Sequence, residues 1–237
     1  MKSKYNQIVE HEGRTLRPGV SVRAQAALER LIDPHTDAQG YRSAMTELGE
    51  ELGKLLTSSM ENTENIQVLV STAEDADFLS LGIAHELSRK DIEFKTVVLW
   101  NNHYTPCGSE KSVAPIVNSF FEQGYEQAKN IIICKSVLSG SCVVRTNIIE
   151  LIDRITPDAI FILAPVMHQD AENKLRAEFP TEISSIFNFV YFALDTERLE
   201  TGEVLPGIGG QVYTRLGLQD QPVKTGYLPD TVRRLLE

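Results

Sequence analysis

An open α/β sheet, mostly parallel and flanked by helices, is the fold class this sequence predicts. From residue 65 onward, short apolar runs alternate with amphipathic stretches, the strand–helix rhythm of a parallel sheet. The apolar runs, such as Ile131-Ile132-Ile133, are continuous rather than alternating, as suits strands buried on both faces. With 237 residues, 42% of them hydrophobic, the chain can bury one sizeable core.

Residues 1–40 are polar and mixed in charge, with Arg14, Arg17, Arg23 and Arg30 around a helix-like segment at 24–32. They read as an N-terminal arm packing on a neighbouring subunit. Residues 41–57 carry Met45, Leu48, Leu52, Leu55 and Leu56 at helical spacing, which predicts an amphipathic helix. A strand is expected at 66–70, then a helix at 77–89 with Leu79, Ile83, Ala84 and Leu87 on one side. A strand at 94–100 leads into a polar loop at 101–111, punctuated by Pro106 and Gly108, and then a helix at 114–129. Strands at 131–134, 159–164 and 187–194 alternate with helices at 143–155 and 171–179. Residues 222–230 lead into a short C-terminal helix containing Val232, Leu235 and Leu236. The expected organisation is an arm (1–40) and one domain (41–237), with a hood at about 195–217 and an extension at 218–237.

The formal charge of −10 and pI of about 5.1 exclude a large nucleic-acid surface, which needs clustered Lys and Arg. Three cysteines, Cys107, Cys134 and Cys142, form no C-x-x-C pair. An odd count of this kind fits reduced thiols. No apolar run approaches a membrane span. The expectation is a cytoplasmic protein that binds neither nucleic acid nor membrane.

In open α/β sheets, ligands sit outside the carboxyl ends of the strands. The loops at 71–76, 101–108 and 135–142 fall there. The last is a tight small-residue loop, Lys135-Ser136-Val137-Leu138-Ser139-Gly140-Ser141-Cys142, between an apolar strand and a helix. Backbone N–H groups at such a helix start can hold a phosphate. Ser139 or Ser141 could equally serve as a plain N-cap. Glu74, Asp75 and Asp77 could hold a hard cation or simply favour a helix start. Cys134 ends a strand and reads as a core residue. Cys142 sits where a helix N-terminus can lower a thiol pKa. His103 lies in the loop that would cover a bound ligand and His168 follows a strand end, each an acid or base or merely solvated.

The loop at 134–142, followed downstream by Asp195-Thr196-Glu197-Arg198-Leu199-Glu200-Thr201-Gly202-Glu203-Val204-Leu205-Pro206-Gly207-Ile208-Gly209, resembles the uracil phosphoribosyltransferase family over residues 41–217. The resemblance implies a phosphoribosyltransferase-type fold, a homo-oligomer, and transfer of ribose phosphate from phosphoribosyl diphosphate (PRPP), usually carried with Mg2+, to a pyrimidine-like base. It implies phosphate binding by Lys135, Ser136, Ser139, Gly140, Ser141 and Cys142, with Lys135 as a diphosphate contact. It implies base binding by Leu205, Pro206, Gly207, Ile208, Gly209 and Gly210, and keeps a late arginine at Arg215. Glycines let a backbone edge approach a flat base, and proline fixes the turn.

The charged ligands of that chemistry are largely missing. The family's Asp-Pro opening is replaced by Cys134-Lys135 or Lys135-Ser136, and no carboxylate occurs between Asn130 and Arg145. Its Arg-Ala-Gly after the first core strand becomes Ser71-Thr72-Ala73-Glu74-Asp75-Ala76-Asp77. The arginine expected after the second strand falls near Asn101-Asn102-His103, and the late aspartates become Gly210, Gln211 and Tyr213. Three readings follow: a divergent transferase; a non-catalytic protein on the same scaffold that senses a nucleotide or supports a protein partner; or a changed reaction on a related sugar phosphate, for which the acidic loop 74–77 would suit a metal or cationic substrate.

Overall fold

A computed structural model describes residues 11–60, 62–108, 112–218 and 226–237. The first ten residues of the expected arm and residues 219–225 of the extension lie outside the described residues. In chain order the strands are β1 (Arg14–Leu16), β2 (Gln67–Thr72), β3 (Phe94–Asn101), β4 (Ile116–Phe121), β5 (Asn130–Cys134), β6 (Val137–Leu138), β7 (Ala159–His168), β8 (Phe187–Asp195), β9 (Glu197–Arg198) and β10 (Val204–Leu205). The helices are α1 (Val22–Ile32), α2 (Ala38–Ser59), α3 (Ala73–Asp75), α4 (Leu81–Arg89), α5 (Cys142–Ile152), α6 (Ala171–Ala177), α7 (Thr181–Ser184), α8 (Val212–Arg215) and α9 (Asp230–Leu236). A π-turn at Ala76–Ser80 joins α3 to α4.

The main sheet runs β1-β8-β7-β5-β2-β3-β4. Its central pairs are parallel, and only the edge strands β1 and β4 run antiparallel to their neighbours. Helices cover both faces, as predicted. Leu28, Leu31, Leu48, Leu52, Ile83 and Leu87 pack on one face against Leu69, Ile132 and Phe192. Val144, Ile148, Leu151 and Leu175 pack on the other against Val70, Ile133 and Ile162. No helix among the described residues is long and apolar enough to cross a membrane.

Three expectations need correction. Residues 114–129 do not form a helix. Ile116, Val117, Phe120 and Phe121 favour a pleated strand, and β4 pairs with β3, with Gly124 at φ 89° turning the chain beyond it. Residues 14–32 do not stand off from the body as an arm. Ala24, Ala27, Leu28 and Leu31 bury against this chain's own core, and β1 extends the sheet. The helical run also begins at residue 73, not 77, which places Glu74 and Asp75 inside its first turn.

The first face is held close by glycine. A Cβ on Gly82 would stand 2.1 Å from the Thr46 carbonyl oxygen, and one on Gly49 would stand 2.1 Å from that of Leu79. Backbone therefore meets backbone where α2 crosses the π-turn and α4. We expect Gly82→Ala to destabilise the protein by about 2–3 kcal/mol through overpacking. Urea unfolding at unchanged slope measures this, and a loss under about 0.5 kcal/mol would contradict the close crossing.

Candidate functional site

The loops at the carboxyl ends of β2 and β5 meet because those strands are in register, with Ser71 opposite Cys134. The next residues of each chain segment therefore face one another. Lys135 donates to Glu74 Oε1 at 2.9 Å and to Asp75 Oδ2 at 2.7 Å. Its Nζ also lies 3.4 Å from Ser136 Oγ. Thr72 donates to Asp75 Oδ2 at 2.9 Å, and Tyr213 of α8 donates to Glu74 Oε2 at 3.2 Å. The side chains of Lys135 and Asp75 are 13% and 2% exposed.

Burial and pairing compete over these charges. For Lys135, burial acts to lower the pKa, but Asp75 and Glu74 more than offset it and hold the ammonium charged well above the usual lysine range. For Glu74, burial acts upward, and the adjacent Lys135 charge outweighs it, so the carboxyl lies below its ordinary value. Asp75 is kept above its ordinary value, chiefly by burial, against the pull of Lys135.

The loop 135–142 curls from this cluster to the start of α5. Its Val137–Leu138 segment pairs with β7 as β6. Ser141 occupies the N-cap position without a capping side-chain bond and instead donates to Glu178, which also holds Arg145. Cys142 donates to the Ser112 carbonyl at 3.2 Å. Burial pushes its thiol up despite nearby Arg145, so the expected lowered pKa is absent. Gly140 faces the hood, where the Arg198 guanidinium lies 3.5 Å from the point a Cβ would occupy.

The hood is pinned from below. Arg14 of β1 donates to both carboxylate oxygens of Asp195 at 2.7 Å and to the Gly207 carbonyl at 2.5 Å. Asp195 Oδ2 also accepts from Gly207 N–H at 2.8 Å. Arg14 and Asp195 are almost fully buried. Tyr41 donates to the Ile208 carbonyl at 2.9 Å, and Gly209 N–H reaches the Pro206 carbonyl at 3.3 Å. Gly207, at φ 57°, has Val204 oxygen 2.2 Å from where a Cβ would stand. The Pro206–Gly210 backbone thus spends several of its edge groups on the protein itself, and Ile208 points into the core.

Other predicted site residues are placed elsewhere. Asp77 accepts from the backbone N–H groups of Asp230 and Thr231 and from Tyr227, capping α9 rather than joining Glu74 and Asp75. Arg215 donates to the carbonyls of Leu31 and Asp33 and stacks on Tyr41, tying α8 to α1. His168 is buried, with Nδ1 accepting from Asp170 N–H. His103 is held below the usual histidine range by partial burial, then by the charges of Arg198 and Lys135. Cys134 is buried, as predicted, and its thiol is pushed up by burial. Among the described residues, no group of three or more His, Cys, Asp or Glu is arranged to hold a metal ion. The sequence reading gave no site role to Arg14, Tyr41 and Tyr213, whose partners lie 139 to 193 residues away, or to Arg198, which lies over Gly140.

No protein-family model matches the sequence, and no curated protein matches it. Among solved structures, the AQ2163 protein from Aquifex aeolicus aligns with a TM-score of 0.64 at 14% identity, over 84% of this chain and 96% of that one. That likeness is one of fold. Adenine phosphoribosyltransferase from Trypanosoma brucei, in complex with AMP, pyrophosphate and ribose-5-phosphate, aligns at TM-score 0.48 and 12% identity, over 84% and 88% of the two chains. Hypoxanthine-guanine phosphoribosyltransferase from L. donovani aligns at 0.43 and 7%, over 69% and 82%.

Removing the lysine tests the buried cluster. Lys135→Met leaves two buried carboxylates without a cation, which should cost about 3–5 kcal/mol at neutral pH. Lys135's own contribution, with its pKa raised, is complete below the ordinary lysine pKa and is lost only in strong alkali. Glu74's contribution, with its pKa lowered, is lost as pH falls through the acidic range. In the variant both carboxyls titrate above their unfolded values, so its deficit should shrink between about pH 8 and pH 5 as they take up protons. A deficit that does not change with pH would contradict this assignment.

Proposed function

We propose that this chain is a phosphoribosyltransferase-fold protein that binds a nucleotide-type phosphate monoester and does not transfer ribose phosphate from PRPP. One observation carries the reading: Lys135, the cation available to a diphosphate, is already bound between Glu74 and Asp75. Departing diphosphate needs preorganised positive charge, and the ammonium of this cluster is already paired with two carboxyl groups. Like charge repels the ligand unless a metal bridges them. Mg2+ does not fit either, because the two carboxylates converge on an ammonium and Asp77 is committed to α9.

The phosphate loop supports the positive half of the proposal. Ser139 and Gly140 immediately precede Ser141, the N-cap of an eleven-residue helix, whose first N–H groups and dipole favour an anion. The natural ligands by this chemistry are nucleoside monophosphates and sugar phosphates. The hood would read a base with those edge groups of residues 206–210 that the protein leaves unspent. Assembly into a homo-oligomer, with or without another protein, belongs to the same proposal.

A second reading, a divergent pyrimidine phosphoribosyltransferase, draws on the placement of the glycine loop and the phosphate loop at one sheet edge, joined by Arg198 over Gly140. It requires Lys135 to leave its carboxylates. Calorimetry against UMP, ribose 5-phosphate, and PRPP with Mg2+ separates the two. We expect the monoesters to bind and PRPP to bind no more tightly than ribose 5-phosphate. Release of diphosphate from PRPP and uracil, abolished by Gly207→Val, would establish the transferase and overturn the proposal.

A further inference from the structure

The hood supplies one cation whose position no internal contact explains. Arg198 sits at the end of β9, in a hairpin closed by bonds from Leu199 N–H to Glu203 O and from Gly202 N–H to Leu199 O. Its guanidinium lies over Gly140, with Nη2 3.5 Å and Nη1 3.8 Å from where a Cβ would stand. The same Nη2 is 3.5 Å from the corresponding point at Gly202. The guanidinium thus lies within van der Waals reach of both the loop and its own hairpin.

Among the described residues Arg198 makes no ion pair, hydrogen bond or ring contact. Every other arginine is held by a carboxylate, a carbonyl or an aromatic ring. Carboxylates are close at hand in sequence, since Glu197, Glu200 and Glu203 share the hairpin, yet none pairs with it. His103 feels the charges of Arg198 and Lys135. The Lys135 charge is balanced locally by Glu74 and Asp75, whereas that of Arg198 is not.

We propose that Arg198 is the ligand's phosphate-binding cation, closing over Gly140 from the hood and making the site selective for a single phosphate monoester. This rests on the phosphate-loop reading of residues 135–142. The division of labour is chemical. A guanidinium presents two parallel donors that match two phosphate oxygens, and the loop's N–H groups address the same phosphate from beneath. The Glu74–Lys135–Asp75 cluster, close enough to influence the same imidazole, has its only cation already paired with carboxyl groups and so discourages a second phosphate on the ligand. The phosphate source, nucleotide or sugar phosphate, is left to the substituent the hood accepts.

The test uses the full chain with three forms: wild type, Arg198→Ala and Arg198→Lys. UMP, ribose 5-phosphate, inorganic phosphate and uridine are titrated into each by calorimetry. Arg198 is exposed and carries no internal bond, so melting temperatures should agree among the three. We expect Arg198→Ala to weaken UMP and ribose 5-phosphate about 10- to 100-fold, the size of a charge-assisted contact. Arg198→Lys should fall between, because it keeps the charge and loses the fork. Uridine should be insensitive to either substitution. Preference for UMP over ribose 5-phosphate would identify a nucleotide source, and equal affinity a sugar phosphate. Wild-type binding with no change in Arg198→Ala would overturn the role of Arg198 and leave the loop reading standing. Failure of wild type to bind any monoester would overturn both.

Discussion

Lys135 meets Glu74 and Asp75 because two adjacent parallel strands end at the same height. β2 and β5 pair through Ser71 and Cys134, so the segments that leave them must either repel, stay wet or pair. A buried ammonium and two carboxylates cannot be left unpaired without a cost of several kcal/mol per ion. The cluster is therefore a constraint on everything around it. It requires α3 to begin immediately at β2, so that Glu74 and Asp75 turn inward. It also recruits Thr72 and Tyr213 to satisfy the remaining lone pairs.

From that point the loop after β2 links three parts of the molecule. Tyr213 connects the cluster to α8 in the hood. Asp77, on the following π-turn, caps α9 and holds Tyr227, whose carbonyl accepts from Trp100 Nε1. Val232 of α9 then packs on Ala73, Ala76 and Trp100. On the opposite side of the hood, the Arg14–Asp195–Gly207 clamp fixes where the glycine loop leaves the sheet. The hairpin that carries Arg198 is thus held between two buried ionic anchors. In that arrangement Lys135 is internalised between its carboxyls, while the Arg198 guanidinium remains outside over Gly140.

The sheet was legible in the sequence because buried parallel strands are written as local apolar runs. Residues 131–134 and 159–164 fall within β5 and β7 for that reason. The segment at 114–129 was misread because its local composition does not reveal that β3 offers it an edge; pairing, not propensity, made it β4. The arm was misread for a related reason. Arg14 has no local signal, and its partner Asp195 is 181 residues away. The carboxylates Glu74, Asp75 and Asp77 were visible as a group, but not that they divide, two toward Lys135 and one toward α9. Loop residues Ser139, Gly140 and Ser141 were singled out by their small size ahead of a helix. Arg198 was within a quoted motif, yet only the fold of the hairpin brings it over Gly140.

The central claim is that Glu74 and Asp75 neutralise Lys135 and thereby close the site to a diphosphate. The most direct measurement is the affinity of magnesium diphosphate for wild type and for Glu74→Gln, which removes one charge from the less buried acid and keeps its size. The account predicts no binding to wild type at millimolar concentration and measurable binding to Glu74→Gln, in which Lys135 keeps only one carboxyl partner. Wild type binding diphosphate as tightly as the variant would contradict it, because Lys135 would then be free to serve the ligand while paired.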